Sequence, residues 1–115
     1  MTRSHPLRMR SVAAGFFLFF CVFATVAQAA DSVPVAIKDF AFSPANLTVP
    51  AGTTVVWTNV DDDPHLVVST AKAFESDALD TNETFKFKFD VAGSYAYFCS
   101  LHPHMTGTIT VTPKG

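Results

Sequence analysis

The sequence of 115 residues predicts a single all-β domain, either a two-sheet sandwich or a barrel, with about seven or eight short strands. The alternation of phenylalanine with lysine in TFKFKFD indicates a strand with one buried face and one solvated face. Runs of β-branched and aromatic residues recur between turn signals, such as the Pro-Ala-Gly at residues 50–52. No helical periodicity persists over three turns, so an all-β fold is the prediction.

The strands of the N-terminal half are predicted at short intervals. A first strand covers residues 33–37, and a shorter one covers residues 47–49 directly before the Pro-Ala-Gly turn. TTVVWTN, at residues 53–59, is β-branched and aromatic as strands are, and the Asp-Asp-Asp-Pro that follows ends it. HLVVS, at residues 65–69, is predicted as the next strand. Residues 70–83 lack alternation, which predicts a loop or a short helical turn.

Three further strands complete the C-terminal half of the chain. TFKFKFD directs its three phenylalanines toward the core, and AGSYAYFC follows a turn at Ala92 and Gly93. TGTITVTP closes the chain, with Ile109 and Val111 on the inner face. Trp57 and the phenylalanines are expected to supply much of a modest core.

The first 29 residues have the three-part organisation of a secretory signal peptide. MTRSHPLRMR carries three arginines and no acid, an apolar run of about 17 residues follows, and AQAA predicts cleavage after Ala29 or Ala30. A membrane anchor is the alternative, but the run is at the short edge of the ~20 residues that a span needs. Residues 30–115 are therefore predicted to form one exported, periplasmic domain with no membrane span, and Cys21 is removed with the signal.

Removal of the signal changes both the charge and the cysteine content. All three arginines are lost, so five lysines remain against ten Asp and Glu, a net charge of −5. Such a chain offers no basic surface to nucleic acid or to an anionic membrane. Only Cys99 remains, so no internal disulfide can form. A lone thiol in an oxidising compartment needs to be buried, paired between chains or bound to metal.

Four potential metal ligands are predicted to meet at one pole of the fold. Cys99, His102 and Met105 follow the pattern Cys-x2-His-x2-Met between the last two strands, and His65 begins an earlier strand. Each alone is more often a core or surface residue. Together they leave no other Cys or Met and only one other His, His104, in the exported chain. His104 is the alternative to His102 as the equatorial ligand, which would give the spacing Cys-x4-His, but its neighbour Met105 is then badly placed to converge on the same ion.

The types of donor atom favour copper over zinc. A thiolate and a thioether are soft ligands, imidazoles are intermediate, and zinc takes mainly Cys, His and carboxylates. Two His, one Cys and a weak axial Met form the ligand set of an electron-transfer copper site. A stiff sheet that holds such a set between the preferences of Cu(I) and Cu(II) needs little rearrangement when one electron is gained or lost.

Two segments resemble a known family. YFCSLHPHMTGTITV resembles the copper-binding end of the cupredoxins, the type 1 (blue) copper proteins, with the ligand spacing of amicyanin and not the longer His-to-Met gap of plastocyanin. VPAGTTVVWTNVDDDPHLVVS is similar to the segment around the family's upstream histidine, and the resemblance runs from about residue 33 to residue 112. It implies a Greek-key β-sandwich with one copper ion. The implied ligands are His65, Cys99 and His102 as equatorial ligands and Met105 as the axial ligand.

The resemblance also implies how the site is used. The imidazole of His102 is the expected electron port, emerging through an apolar patch that includes Leu101 and Pro103. Family members often carry Asn directly after the upstream histidine, and its side chain commonly ties the two ligand-bearing segments together. This chain has Leu66 there, so that side-chain hydrogen bond is missing.

We therefore expect an exported blue copper protein, a monomer and not an enzyme, that shuttles single electrons between larger redox proteins. A c-type cytochrome or a periplasmic dehydrogenase is the expected class of partner. The acidic residues 61–63 predict a solvated turn or, alternatively, a patch that steers a basic partner.

Three other functions compete with this expectation. The first alternative is a periplasmic copper-binding protein for copper delivery or tolerance, although such proteins tend to offer exposed Met-rich or His-rich sites. A copper enzyme needs a second, open metal site with further histidines. A metal-free interaction domain would stay colourless when copper is supplied.

Overall fold

A computed structural model describes Gly15 and residues 31–114, and these residues form an all-β sandwich. Except for Gly15, the predicted signal peptide and its cleavage point lie outside the described residues. Both therefore remain predictions. Within residues 31–114, no helix has the length and apolar character needed to cross a membrane. The eight strands of the described residues are β1 (Ser32–Lys38), β2 (Ala41–Ser43), β3 (Asn46–Pro50), β4 (Thr53–Asn59), β5 (Val68–Ser69), β6 (Thr84–Phe89), β7 (Gly93–Phe98) and β8 (Thr106–Thr112).

The strands are divided between two four-stranded sheets. One sheet has the order β2-β1-β4-β6 and the other has the order β3-β8-β7-β5. The chain crosses repeatedly between the sheets, so β1 pairs with β4 and β3 with β8 in parallel, whereas β7 and β8 pair as antiparallel neighbours. The arrangement confirms the predicted two-sheet sandwich and excludes the barrel alternative. It also places both ends of the β7–β8 connection at one pole.

Aromatic side chains fill the space between the sheets. Trp57 is fully buried, and its ring lies 5.7 Å from that of Phe74, 5.6 Å from that of Phe85 and 5.5 Å from that of Tyr97, measured between ring centroids. Such contacts add directional aromatic interactions to the burial of large apolar surfaces. Ile109 on β8 is also completely buried, as its alternation predicted. This core supports the pole at which the predicted ligands meet.

The strand predicted at residues 65–69 is mostly wrong, because only Val68–Ser69 form a strand. His65 instead exchanges backbone hydrogen bonds with Leu79, at 3.1 and 2.8 Å, in an isolated bridge. The N–H of Val67 donates to the hydroxyl of Ser76 at 2.8 Å. Residues 65–67 thus pair with the loop of residues 70–83, and only Val68 and Ser69 pair with a sheet strand, β7. That loop contains no helical turn, so the loop alternative is the observed one.

The sequence did not reveal β2 as a separate strand. Lys38 pairs with Ala41, so β1 and β2 form a hairpin with a two-residue turn at Asp39 and Phe40. Both turn residues have left-handed backbone angles, φ +52° and +57°, where Asn-Gly or Asp-Gly is usual. The left-handed conformation costs a residue with a side chain about 1–2 kcal/mol, so this turn needs support from elsewhere in the fold.

Candidate metal centre

The β7–β8 connection positions three of the predicted site residues. Cys99 directly follows β7 and Met105 directly precedes β8. The N–H of Cys99 donates to the carbonyl of Met105 at 3.1 Å, which continues the ladder between the two strands. Within the connection, His102 N–H donates to the Cys99 carbonyl at 3.2 Å and Met105 N–H donates to the His102 carbonyl at 2.9 Å. The loop is therefore fixed by its own backbone and by the sheet below it.

Three ligand atoms from two distant segments converge at this pole. The sulfur of Cys99 lies 3.7 Å from Nδ1 of His65 and 3.7 Å from Nδ1 of His102. All three ligand atoms lie within 4.8 Å of one another. His65 and Cys99 are completely buried, whereas His102 is partly exposed. The structure thus brings together the two histidines and the cysteine that the sequence indicated.

The two other candidates of the loop differ in burial. Met105 is 2% exposed and is joined to Cys99 through the backbone hydrogen bond already described. His104 is exposed and does not belong to the group of converging ligand atoms found among the described residues. Among the described residues, His102 and not His104 is therefore the loop histidine whose ring nitrogen lies beside the Cys99 sulfur.

A backbone hydrogen bond links the two ligand-bearing segments despite the missing asparagine. The N–H of Leu66 donates to the sulfur of Cys99 at 3.4 Å. A donor aimed at this sulfur stabilises the thiolate, the form in which cysteine binds metal. Because the main chain supplies this contact, the segment around His65 remains tied to Cys99 with leucine at position 66.

The sequence did not single out the carboxylate of Asp61, which contacts the far side of His65. Its Oδ2 lies 2.9 Å from Nε2 of His65, and its side chain is only 11% exposed. It also accepts hydrogen bonds from the N–H of Asp39 at 2.7 Å and of Phe40 at 3.0 Å. Burial acts to raise the pKa of this carboxyl, but the hydrogen bonds from Phe40, Asp39 and His65 outweigh burial and lower the pKa below 3.8.

Asn59 shapes the loop that carries Asp61 and His65. Its side chain is completely buried, and its amide group donates to the carbonyls of Asp63 at 2.9 Å and Leu79 at 2.8 Å. Its side-chain oxygen accepts the N–H of Asp61 at 2.9 Å. One buried amide thus binds two backbone groups in the loop that follows β4 and a third, at Leu79, in the loop of residues 70–83. The sequence did not indicate that Asn59 organises this loop, because its position predicts only the last residue of a strand.

Phe40 packs against both imidazoles. Its ring centroid lies 5.3 Å from that of His65 and 5.0 Å from that of His102, with nearly perpendicular ring planes. Phe40 is nevertheless 42% exposed, and Leu101, beside His102, is 52% exposed. Phe40, Leu101 and the exposed Pro103 are called the apolar rim below. The rim includes the patch predicted at Leu101 and Pro103 and adds Phe40, which the sequence did not indicate.

The donor atoms suit a copper ion. Nitrogen and sulfur ligands lie about 2.0–2.3 Å from a divalent first-row metal such as zinc, and a trigonal arrangement at those lengths separates neighbouring ligands by roughly 3.5–4 Å. The two distances of 3.7 Å from the Cys99 sulfur to the histidine nitrogens match this separation. Two imidazoles and one thiolate, with a methionine at the same pole, are the donors of electron-transfer copper sites.

Comparison with known proteins identifies relatives along most of the chain. Residues 11–111 match the family described as the cupredoxin-like domain. Amicyanin of Paracoccus versutus is 34% identical over 87 residues, which cover 71% of this chain and 66%, just under two thirds, of that relative. Plastocyanin of Scenedesmus fuscus is 40% identical over 83 residues, covering 61% of this chain and 85% of that relative.

Solved structures agree with the sequence comparison. A purple cupredoxin from Nitrosopumilus maritimus superposes with a TM-score of 0.65 at 35% identity, covering 70% of this chain and 99% of the other. A copper-containing nitrite reductase from Thermus scotoductus gives a TM-score of 0.69 at 30% identity. That match covers 73% of this chain but only 23% of the reductase. The likeness to the reductase therefore concerns a small part of a larger chain.

Proposed function

The chain belongs to the cupredoxin-like family, and on that premise we propose that it is an exported type 1 blue copper protein that carries single electrons between larger redox proteins. One observation carries the proposal: the ligand atoms of His65, Cys99 and His102 lie within 4.8 Å of one another at one pole of a two-sheet sandwich. A bound copper ion supplies a one-electron couple between Cu(II) and Cu(I).

We propose Nδ1 of His65, the sulfur of Cys99 and Nδ1 of His102 as the three strong ligands, with Met105 as the weak axial ligand. The burial of Met105 and its backbone hydrogen bond to Cys99 support Met105 as the axial ligand. The loop hydrogen bonds fix the backbone of Cys99, His102 and Met105. Ligands on a fixed backbone change position little between oxidation states, which lowers the barrier to electron transfer.

The exposure of the site supports a carrier rather than an enzyme or a delivery protein. His65 and Cys99 are fully buried, which shields two of the three strong ligands from substrates and from metal-accepting proteins. Among the described residues, this is the one group of three or more His, Cys, Asp and Glu side chains whose ligand atoms converge, whereas a copper enzyme needs a second, open site. We therefore favour electron transfer over copper delivery or tolerance. Retention of copper in the presence of a metal-free acceptor protein discriminates between the two.

The partly exposed His102 is the proposed point of electron exit, within the apolar rim. A partner that covers this rim brings its own redox centre close to an imidazole that ligates the metal. The acidic residues Asp62 and Asp63 are exposed on the loop before His65, which suits a basic partner such as a c-type cytochrome. A periplasmic dehydrogenase remains the other proposed class of partner, and the protein is proposed to act as a monomer in the periplasm.

The visible spectrum tests the proposal directly. We expect the purified metal-free protein to take up one equivalent of Cu(II) and to develop an intense thiolate-to-copper band. Cys99→Ser abolishes the band, because a hydroxyl does not replace the thiolate. His104→Ala is the matched control from the same loop and leaves the band unchanged. A wild-type protein that stays colourless with copper overturns the proposal.

A further inference from the structure

Asp61 occupies a position that joins the candidate metal centre to a strained turn. One carboxylate accepts three hydrogen bonds, two from the successive N–H groups of Asp39 and Phe40 and one from the ring of His65. These groups lie 21 to 22 residues before Asp61 and four residues after it. Its neighbours Asp62 and Asp63 are exposed, so only the first carboxylate of the acidic run faces inward.

The hydrogen bond to Nε2 settles which nitrogen of His65 carries the proton. An ionised carboxylate only accepts hydrogen bonds, so Nε2 must donate. In the neutral ring, Nδ1 then keeps its lone pair, and this is the nitrogen that lies 3.7 Å from the sulfur of Cys99. The contact therefore selects the form of His65 that is able to bind a metal through Nδ1.

The two N–H contacts hold the ring of Phe40 in position. Phe40 has φ +57°, a left-handed angle that a phenylalanine rarely adopts without support. Asp61 supplies the support by accepting both turn N–H groups. This two-residue turn then places the ring of Phe40 against the rings of His65 and His102. One carboxylate thus fixes both the buried ligand and the aromatic ring that covers the two imidazoles.

We propose that Asp61 is a positioning residue of the metal centre, which holds His65 in the Nε2–H form and, through the Asp39–Phe40 turn, holds the Phe40 ring over both histidines. This inference rests on the proposed copper function for its redox consequence, but its structural part applies to the protein without metal. A negative charge behind His65 also makes the imidazole a stronger donor, and it stabilises Cu(II) more than Cu(I).

The first test uses the metal-free protein, in which copper chemistry plays no part. Nitrogen-15 NMR of the histidine rings distinguishes a protonated Nε2 from a protonated Nδ1. We expect the neutral ring of wild-type His65 to carry its proton on Nε2 alone, and that of Asp61→Ala to populate both tautomers. Wild-type His65 protonated at Nδ1 overturns the proposal without the need for any variant. Equal tautomer populations in wild type and a folded Asp61→Ala protein also overturn it.

The second test uses the copper-loaded protein and a variant of nearly the same shape. Asp61→Asn removes the charge and places an amide NH2 where one carboxylate oxygen accepted a hydrogen bond. We expect Cu(II) affinity to fall about 10–100-fold, the usual cost of losing a partner of a ligating histidine. Cu(I) affinity should fall less. Each tenfold preferential loss for Cu(II) corresponds to a rise of about 59 mV in the reduction potential of a one-electron couple.

Matched variants separate positioning from general effects of charge. Asp62→Asn removes the same charge from the adjacent exposed position and should leave Cu(II) affinity and potential near the wild-type values. Phe40→Ala removes the ring but keeps the carboxylate, so it should leave the tautomer of His65 unchanged. If Asp61→Asn and Asp62→Asn change the potential equally, the positioning role is overturned. If wild type binds no copper, the proposed function fails, whereas the tautomer experiment still decides the role of Asp61.

Discussion

The two halves of the candidate site are held in different ways. The loop from Cys99 to Met105 is fixed by its own backbone hydrogen bonds and by continuation of the β7–β8 ladder. The segment around His65 has backbone hydrogen bonds to Leu79 but depends also on the side chains of Asn59 and Asp61. The first half is local in sequence, whereas the second joins positions about 20 residues apart.

This difference predicts how each half of the site responds to substitution. Backbone hydrogen bonds survive most substitutions, so the loop tolerates changes in its non-ligand side chains. A buried side-chain network does not, because loss of one member leaves other buried groups without partners. We expect substitutions in the network half to lower stability and to disturb His65, and expect most substitutions in the loop half to act on the metal alone.

The largest expected effect is that of Asn59→Ala, which removes the centre of the network half. Three backbone groups lose a hydrogen bond: the N–H of Asp61 and the carbonyl of Asp63 lose the partner described here, and the carbonyl of Leu79 keeps only the N–H of His65. Each unsatisfied buried group costs about 1–3 kcal/mol, and entry of water into the space offsets part of the total, so we expect a loss of about 3 kcal/mol. Urea unfolding of the metal-free protein measures it.

The control for Asn59→Ala is Asn46→Ala, at an exposed position at the start of β3. We expect this substitution to change the free energy of unfolding by less than about 0.5 kcal/mol, as is usual for surface positions. Equal losses for the two asparagine variants would contradict the importance given to the network half.

A substitution at Gly107 tests the β7–β8 ladder that supports the loop half, where packing against a side chain does matter. Gly107 on β8 lies opposite Tyr97 on β7, and a Cβ atom there would lie 2.3 Å from Cζ of the buried Tyr97 ring. The ring must move within a packed core, and overpacking of this kind costs about 1–3 kcal/mol. We expect Gly107→Ala to lower the free energy of unfolding by about 2 kcal/mol in thermal or urea denaturation.

Thr106→Ala is the neighbouring control, because Thr106 is exposed. It adds no atom against Tyr97 and should behave almost as wild type. Unchanged stability in Gly107→Ala would show that the ring of Tyr97 yields without cost, and the loop half would then be even more tolerant than proposed.

The contrast between the halves also explains what the sequence could predict. The spacing of Cys99, His102 and Met105 lies within one short segment, so the pattern alone indicated the loop, and alternation indicated most strands. The roles of Asp61 and Asn59 come from contacts between distant segments, which no local pattern records. Asp61 resembled its exposed neighbours Asp62 and Asp63, and only the fold distinguishes them.

The same reason accounts for the missed hairpin of β1 and β2. Asp39-Phe40 is not a turn sequence that local propensity favours, because phenylalanine resists the left-handed conformation. The carboxylate of Asp61 stabilises the turn from another part of the chain. Likewise, HLVVS has the composition of a strand, but the loop of residues 70–83 satisfies much of its backbone instead.

Acid should weaken the network half before the loop half. The pKa of Asp61 is lowered in the folded protein, because hydrogen bonds from Phe40, Asp39 and His65 outweigh the opposing effect of burial. The folded state therefore binds this proton less readily than the unfolded state. The stabilisation is present above the ordinary value of 3.8 and is lost as pH falls through the lower folded pKa. Asp61→Asn should flatten this acid dependence of metal-free stability.

Urea midpoints of the metal-free protein between pH 7 and pH 3 measure this effect. Asp62→Asn serves as the control, since its exposed carboxylate accepts none of the three hydrogen bonds made by Asp61. If the urea midpoint of the wild-type protein changes with pH as little as that of Asp61→Asn, the Asp61 carboxylate does not stabilise the folded state as proposed.

The smallest expected effect concerns the exposed acids beside the network half. Because Asp61 is engaged internally, Asp62 and Asp63 are the exposed members of the acidic residues 61–63 that can attract a basic redox partner. Replacing both by Asn should slow electron transfer to a basic c-type cytochrome by about two- to tenfold at low ionic strength, since attraction between exposed charges accelerates encounter. The difference should vanish at high salt, where the Debye length falls to about 3 Å at 1 M. Stopped-flow rates across ionic strength provide the measurement, and a wild-type rate that is independent of salt would assign partner recognition to the apolar rim alone.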